Sequence, residues 1–304
     1  MKPVGWLSSR LGFLALLALS ADTEPSPRSG ALAHDWQASD GKYWHVVSTT
    51  IEAPEVTDAA ERTRGACPAG MVEVQGPMKI EGEDDDALDA LQMTACTERL
   101  EPALPERCAS YDEDKWRELS KDLQTQWMHY CIDRFEYPNR KGDYPVIAVT
   151  WSEAAALCEN RSERICTEDE WTFACEGPEA QPYPYGFVRD DTACVIDRPH
   201  VDVNEPRLGD RQSAATLIEL DRLWQGEPSG SRPRCRSPFG VYDMTGNVDE
   251  WTGSVRAQGN RSILKGGYWG EVRTRCLAST RAHDQSHYYY QSGLRCCADV
   301  PAPR

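Results

Sequence analysis

The apolar positions of the chain fall into one short continuous run followed by many brief, broken patterns. The run is Leu11 to Leu19, LGFLALLAL, too short to cross a bilayer. Lys2 and Arg10 precede it, and the small residues Ala18, Ser20 and Ala21 sit at its end. Charge, apolar run and small residues in that order predict a secretory signal peptide over residues 1–21. No second long apolar run follows, so the mature chain is expected to have no membrane span. DTEPSPRSG then opens a linker or loosely folded lead-in, residues 22–66, rich in Pro, Ser and Asp. Within it KYWHVVSTTIEA has strand character but no neighbouring strand pattern to pair with.

From Cys67 onward the patterns become those of a folded domain, residues 67–300. Met71, Val72 and Val74 predict a short strand ending at Gly76-Pro77, and the acid run EGEDDDALDA reads as a solvated face. YDEDKWRELSKDLQTQWMHY has helical spacing, with Trp116, Leu119 and Leu123 on one stripe. CIDRFEYPNR predicts a strand ending at Pro138-Asn139, and PVIAVTW another. SEAAALCENR predicts a helix capped by Ser152. TEDEWTFAC predicts a second, with Thr167 and Glu170 at capping-box spacing. Beyond about residue 176, Gly, Pro and short strands dominate. The fold class is α+β, loop-rich and low in regular secondary structure.

Charge removes some function classes. The 304 residues carry 49 acids against 33 bases, a formal net charge of −16. Nothing in that balance would neutralise a phosphate backbone, which argues against nucleic acid as partner. It suits a soluble protein that binds cations. The 12 cysteines all lie at or after Cys67, their count is even, and no CxxC occurs. With an export signal this predicts a disulfide-stapled domain in an oxidising compartment, secreted or periplasmic.

One stretch resists assignment to an element. FGVYDMTGNVDEW, residues 239–251, starts like a strand, breaks at Gly246-Asn247, and has Asp243 and Glu250 on either side of the break. It is one of an ordered set of motifs that includes CIDRFEYPN, PVIAVTWSEAAALCENRSERICTEDEWTFACEG, YPYG, LKGGYWG, RCLASTRA and GLRCCAD. Together, from about Cys67 to Asp299, they closely resemble the formylglycine-generating enzyme (sulfatase-modifying factor) family. The resemblance implies a C-type-lectin-like fold. It also implies that the 243–250 turn wraps a structural calcium ion, with side-chain oxygens from Asp243 and Glu250 and backbone carbonyls from Gly246 and Val248. Calcium is a hard cation that takes six to eight such oxygens, and a sharp turn at glycine is what aims carbonyls inward. A second calcium site of the family matches less well, because Val195 in ACVID stands where the family has an asparagine. The family pattern further implies disulfides Cys158–Cys296 and Cys175–Cys276. Eight cysteines then remain, with 105 connectivities, among which loop position suggests Cys194–Cys235.

The chain departs from the family at its catalytic centre. Those enzymes oxidise a sulfatase cysteine to formylglycine with copper(I) held by two cysteines, and soft thiolates suit that ion. Here the segment reads GGYWGEVRTRC: Gly270 occupies the first cysteine's place, and the stretch before Cys276 is too short for the second. Copper is therefore not expected. No catalytic residue is assigned.

Two function classes follow. One is a calcium-stabilised binding or structural module that uses the family's substrate groove for a protein, peptide or glycan ligand. Tyr268, Trp269, Tyr288, Tyr289 and Tyr290 are either groove or core. The other is a divergent metal-dependent oxidoreductase using His283, His287 or Glu271. HDQSH places two histidines four apart, but without the glutamate of HExxH. Cys296 and Cys297 are adjacent, and strand neighbours point to opposite faces, so each can pair elsewhere. Asn160 and Asn260 stand in NRS, a glycan-acceptor pattern.

Overall fold

Two short strands open the part of the chain that the computed structural model describes, which is residues 36–38, 44–46, 66–80, 86–101, 106–211, 213–254 and 261–301. The expected signal peptide, most of the lead-in and Asn260 lie outside the described residues. β1 (Trp36–Ala38) and β2 (Trp44–Val46) pair antiparallel, and β2 runs parallel to β7 (Val146–Ile147). The strand foreseen in KYWHVVSTTIEA therefore does not stand alone. Its partners come from a short upstream strand and from a strand about a hundred residues away, a pairing that no local pattern announces.

β3 (Met71–Ile80) is longer than its apolar positions suggest. It runs through Gly76-Pro77 in a ten-residue antiparallel ladder with β6 (Gln124–Asp133), from Met71↔Asp133 to Ile80↔Gln124. β3 is the edge of the sheet β3-β6-β13-β8, where β8 is Arg164–Ile165 and β13 is Cys296–Ala298. A proline is tolerated on an edge strand because its missing N–H leaves no ladder bond unmade. The same ladder overrides the helical spacing of residues 111–130. α2 (Glu113–Ser120) is capped by Asp112 and buries Trp116, but the following QTQWMHY continues as β6. Between β3 and α2 come α1 (Ala87–Met93), β4 (Cys96–Arg99) and β5 (Cys108–Tyr111). CIDRFEYPNR leaves the strand at Asp133 and ends in a bend with a cis Tyr137-Pro138 bond.

Both predicted helices form. α3 (Trp151–Asn160) is capped by Thr150 rather than Ser152, with a full capping box to Glu153. Thr-x-x-Glu satisfies two orphan helix donors reciprocally, which a Ser152 cap would not. α4 (Glu168–Glu176) has the expected box between Thr167 and Glu170. α5 (Ala214–Leu223), capped by Ser213, was not foreseen in the loop-rich half. A second sheet has the order β11-β10-β9-β12, with β9 Asp249–Gly253, β10 Ser262–Lys265, β11 Ser279–Thr280 and β12 Ser292–Leu294. The strand expected from Phe239 thus begins only after the turn. α4 packs on β6 of the first sheet and on β9 and β10 of the second. Its Trp171, Phe173, Ala174 and Cys175 are wholly buried there.

Six disulfides take up all twelve cysteines: Cys67–Cys131, Cys96–Cys108, Cys158–Cys296, Cys166–Cys297, Cys175–Cys276 and Cys194–Cys235. The three pairings read from the sequence are among them. Cys296 and Cys297 do face opposite ways on β13: one is tied to α3, the other to the segment before α4.

Two carboxyls in this framework are poorly matched. Glu163, after α3, accepts one bond from Arg161 Nη2 at 3.0 Å, while its other oxygen is buried without a partner among the described residues. Burial, then repulsion from Asp133, pushes its pKa up to about 8 against the pull of Arg161. Glu176 is fully buried with neither oxygen partnered among the described residues, and burial holds its pKa well above the usual range. A carboxyl whose folded pKa is raised contributes stability that is fully present below its unfolded pKa and is lost as pH rises through the folded one. For Glu163 that window runs from 4.5 to about 8. Thermal unfolding across it should show a melting temperature that falls with pH. Glu163→Gln and Glu176→Gln together should flatten the slope; an unchanged slope would show that both groups ionise normally.

Candidate functional site

The 243–250 turn is built from backbone that few residues tolerate. Asp243, Gly246 and Asn247 have φ of +57°, +81° and +56°. A Cβ on Gly246 would lie 2.3 Å from the Val195 carbonyl oxygen and 2.5 Å from Ile196 Cγ2, so only glycine fits. Gly246 N–H donates to Gly266 O at 3.1 Å, and Asn247 N–H to Val195 O at 2.9 Å. The turn is thereby pinned between the ACVID segment and the glycine pair that follows β10. In this chain Val195 serves the turn through its carbonyl.

The side chains of the turn converge on a buried ionic cluster. Glu250, fully buried, accepts from Arg295 Nε and Nη2, both at 2.6 Å, and from Trp171 Nε1 at 2.7 Å. Asp243 Oδ2 accepts from Gly230 N–H at 2.6 Å. A third acid belongs to the same cluster. Glu136 is 0 % exposed; its Oε2 accepts from Ser229 Oγ and Asn247 Nδ2, each at 2.7 Å, and its Oε1 from Val248 N–H at 3.2 Å. Asn247 in turn holds Glu227 through the backbone N–H and carbonyl. Glu136 is therefore the clamp that fixes the turn carrying Gly246 and Val248.

Three buried carboxyls face one guanidinium. Burial, then repulsion from Asp243 and Glu250, drives the Glu136 pKa well above the usual range. Burial raises Asp243 to about 7, although the Gly230 N–H and Arg295 pull it down. With every acid ionised the cluster carries an excess of two negative charges, which is the charge of one divalent cation. The donor set is hard oxygen, as calcium requires. Asp243, whose Oδ2 accepts from Gly230 N–H, offers hard oxygens of that kind. Glu250 fits it less freely: a carboxylate has about four lone-pair directions, and three already serve Arg295 and Trp171.

Elsewhere, ligand atoms of Asp133, Glu163 and Cys296 lie within 4.8 Å of one another. Cys296 sulfur is in a disulfide and Arg161 Nη2 sits 3.1 Å from Asp133, so these residues do not compose a metal site.

A cavity of about 360 Å³ borders the second sheet, and Asp249, Tyr268, Arg273, His283, His287 and Tyr289 line it. His283 and His287 stack with ring centroids 3.8 Å apart and planes 8° apart. Imidazole lone pairs lie in the ring plane, so two parallel rings do not aim them at one ion. HDQSH is a turn rather than a helix. Glu271 lies apart, beside Arg107 at 3.9 Å, on a different cavity of about 160 Å³. The three residues of the oxidoreductase reading are not brought together.

Of the aromatic candidates, Tyr268 and Tyr289 line the larger cavity. Trp269 is 1 % exposed and packs against Trp224 and Tyr290; its edge borders the smaller one. Tyr288 lies under the Arg211 guanidinium, 4.4 Å from ring to Cζ. A Cβ on Gly270 would lie 2.7 Å from the Tyr268 ring. The position that matches the family's first copper cysteine thus has no room for a side chain unless Tyr268 moves.

The family model for the sulfatase-modifying factor enzyme 1-like domain matches residues 81–300. The chain belongs to the sulfatase-modifying factor family. Its relatives within that family include the inactive C-alpha-formylglycine-generating enzyme 2 of Bos taurus, 28% identical over 172 residues, covering 54% of this chain and 53% of the relative. The formylglycine-generating enzyme of Bos taurus is 26% identical over 171 residues, covering 50% of this chain and 39% of that enzyme. The chain spans about half the length of the first of these relatives. Among solved structures, CarF overlaps 77% of this chain and 99% of its own at a TM-score of 0.46 and 14% identity. Family membership accounts for the mixed, loop-rich, disulfide-stapled fold. No helix among the described residues is long and apolar enough to cross a membrane.

Sequence reasoning missed Glu136, Arg295 and Asp249. The first two stand inside the quoted motifs CIDRFEYPN and GLRCC. A charged residue within an otherwise apolar run is a signal for a buried pair, but nothing local says that Arg295 reaches Glu250.

Proposed function

We propose that this chain is an exported member of the family that does not oxidise cysteine. It is a calcium-stabilised binding or structural module whose ligand enters the groove at Tyr268 and Tyr289. The observation that carries the reading is the fate of the thiols. Gly270 abuts Tyr268, and every cysteine sulfur is bonded to another cysteine, which leaves no pair of thiolates for copper(I). The resemblance to relatives named inactive supports it. Six disulfides support export, since such bonds persist in oxidising compartments.

Asp243, Gly246, Val248 and Glu250 would hold the calcium, with Glu136 fixing the turn from behind. The ion supplies the positive charge that the three acids lack. A ligand bound only by the native state adds RT ln(1 + [L]/Kd), about 2.7 kcal/mol at a hundredfold excess. For a domain of this size that is roughly 5–11 °C in melting temperature. Chelation should lower the melting temperature by that order, and Asp243→Asn should remove the response to added calcium while Arg295 still holds Glu250. A chelator without effect on the wild type, together with no calcium in the purified protein, would refute the site.

A further inference from the structure

We infer that a further cavity, between α5 and the tyrosine run 288–290, binds a small amphipathic amine, with an apolar body seated inside and its ammonium at the mouth against Glu205. The cavity is about 250 Å³, just below the span of about 300–1,000 Å³ that holds drug-sized ligands. It shares the wall of His287 and Tyr289 with the groove, but the inference does not depend on what fills the groove.

The floor suits methylenes. Leu208 and Leu220 line it and are buried. The polar atoms beside them already have partners within the chain. Thr216 Oγ1 is within hydrogen-bond reach of the Arg207 and Asp210 carbonyls, and Tyr288 O–H donates to Leu208 O at 2.9 Å. A ligand body with hydroxyl or amide groups would give up its bonds to water and find no such partner here. A hydrocarbon body gives up none and gains burial.

Charge sets the other end of the ligand. Arg211 and Glu205 both line the cavity. Arg211 is already neutralised: both of its Nη atoms donate to Glu153, each at 2.7 Å, and Nη1 also donates to Ala148 O at 2.9 Å. Glu205 has no ion pair among the described residues, and the Tyr289 O–H donates to its Oε1. A carboxylate has about four lone-pair directions, so that one bond fixes Glu205 and leaves it open to an ammonium. Exposed Glu205 and Gly209 mark the mouth, and buried Thr216 and Leu220 mark the floor. The acid therefore stands at the outer end. Tyr289 and Tyr290, with centroids 4.7 Å apart and planes tilted by 50°, line the same cavity, and aromatic faces attract cations. An anion would instead meet Glu205 with Arg211 already paired. A free alkylamine and the N-terminus of a peptide that begins with leucine carry this same chemistry.

The test titrates the full chain with small probes and follows the probes' own proton NMR signals. Pentylamine is compared with 1-pentanol and hexanoate, its neutral and anionic counterparts, and with butylamine and propylamine. Pentylamine should bind saturably, and each methylene removed should weaken binding about fourfold. The alcohol should bind about fivefold more weakly than the amine, as the loss of an exposed ion pair allows. Glu205→Gln should weaken the amine by the same factor and leave the alcohol unchanged. Gly209→Trp should obstruct the mouth and weaken both; a Cβ there meets only Pro206 O, at 3.9 Å, so the melting temperature should hold. Leu-Gly-Gly and its N-acetyl form separate the two sources. Binding of the free peptide that acetylation abolishes assigns a chain N-terminus, and binding of pentylamine without the peptide assigns a free amine. Hexanoate binding more tightly than pentylamine would overturn the inference. So would equal binding of amine and alcohol, amine binding that survives both substitutions undiminished, or no binding by any probe.

Discussion

Replacing Arg295 by leucine should destabilise this protein by about 3–5 kcal/mol, the cost of leaving a buried charge without its partner. Arg295 is wholly buried and makes both of its short bonds to Glu250; it also donates to the carbonyls of Asp133 and Tyr242. Its loss strands Glu250 and removes a positive charge that pulls down the pKa of Glu136 and of Asp243. Against a typical total of about 5–15 kcal/mol, the change would take a large part of the stability, and the midpoint of urea unfolding would read it directly. Arg295→Lys should recover only part, because an ammonium cannot make the forked pair. The double variant Arg295→Leu, Glu250→Leu should be more stable than Arg295→Leu alone, since it removes the stranded acid as well. Equal midpoints for wild type and Arg295→Leu would show that the pair is not what holds the two sheets' carboxyl cluster together.

That cluster marks the boundary between what the sequence discloses and what it does not. Thr167 and Glu170 were legible because a capping box is a contact between residues three apart. The turn at Gly246 was legible because a Gly-Asn pair, both residues tolerant of left-handed backbone, interrupts the apolar pattern there. β3 was misread at Pro77 because a proline's meaning depends on whether its strand lies at an edge, which only the sheet order settles. The helix predicted through Trp127 failed for the same reason: ten residues of ladder with β3 outweigh a helical spacing. Glu136 and Arg295 lie 159 positions apart in the chain, and Glu250 reaches Arg295 across 45. Their pairing is a property of the packed sheets. Asp249 was passed over beside the more conspicuous Glu250, although the strand's alternation sends the two to different sides: Glu250 to the ionic cluster and Asp249 to the cavity.

Incubated with copper and a peptide carrying Cys-x-Pro-x-Arg, the protein should leave the peptide cysteine untouched. Conversion of that thiol to the aldehyde of formylglycine needs a soft metal held by two thiolates with a position open to substrate. In this chain Gly270 has no room for a side chain beside Tyr268, and Cys276 is bonded to Cys175. The vicinal Cys296 and Cys297 are bonded to Cys158 and Cys166, so neither is available to replace the missing pair. The most direct measurement is therefore the peptide's mass after incubation, with and without this protein. An unchanged mass is the predicted result. A loss of mass matching thiol-to-aldehyde conversion, dependent on this protein and on copper, would contradict the account and show that one of these disulfides opens to form a working copper site.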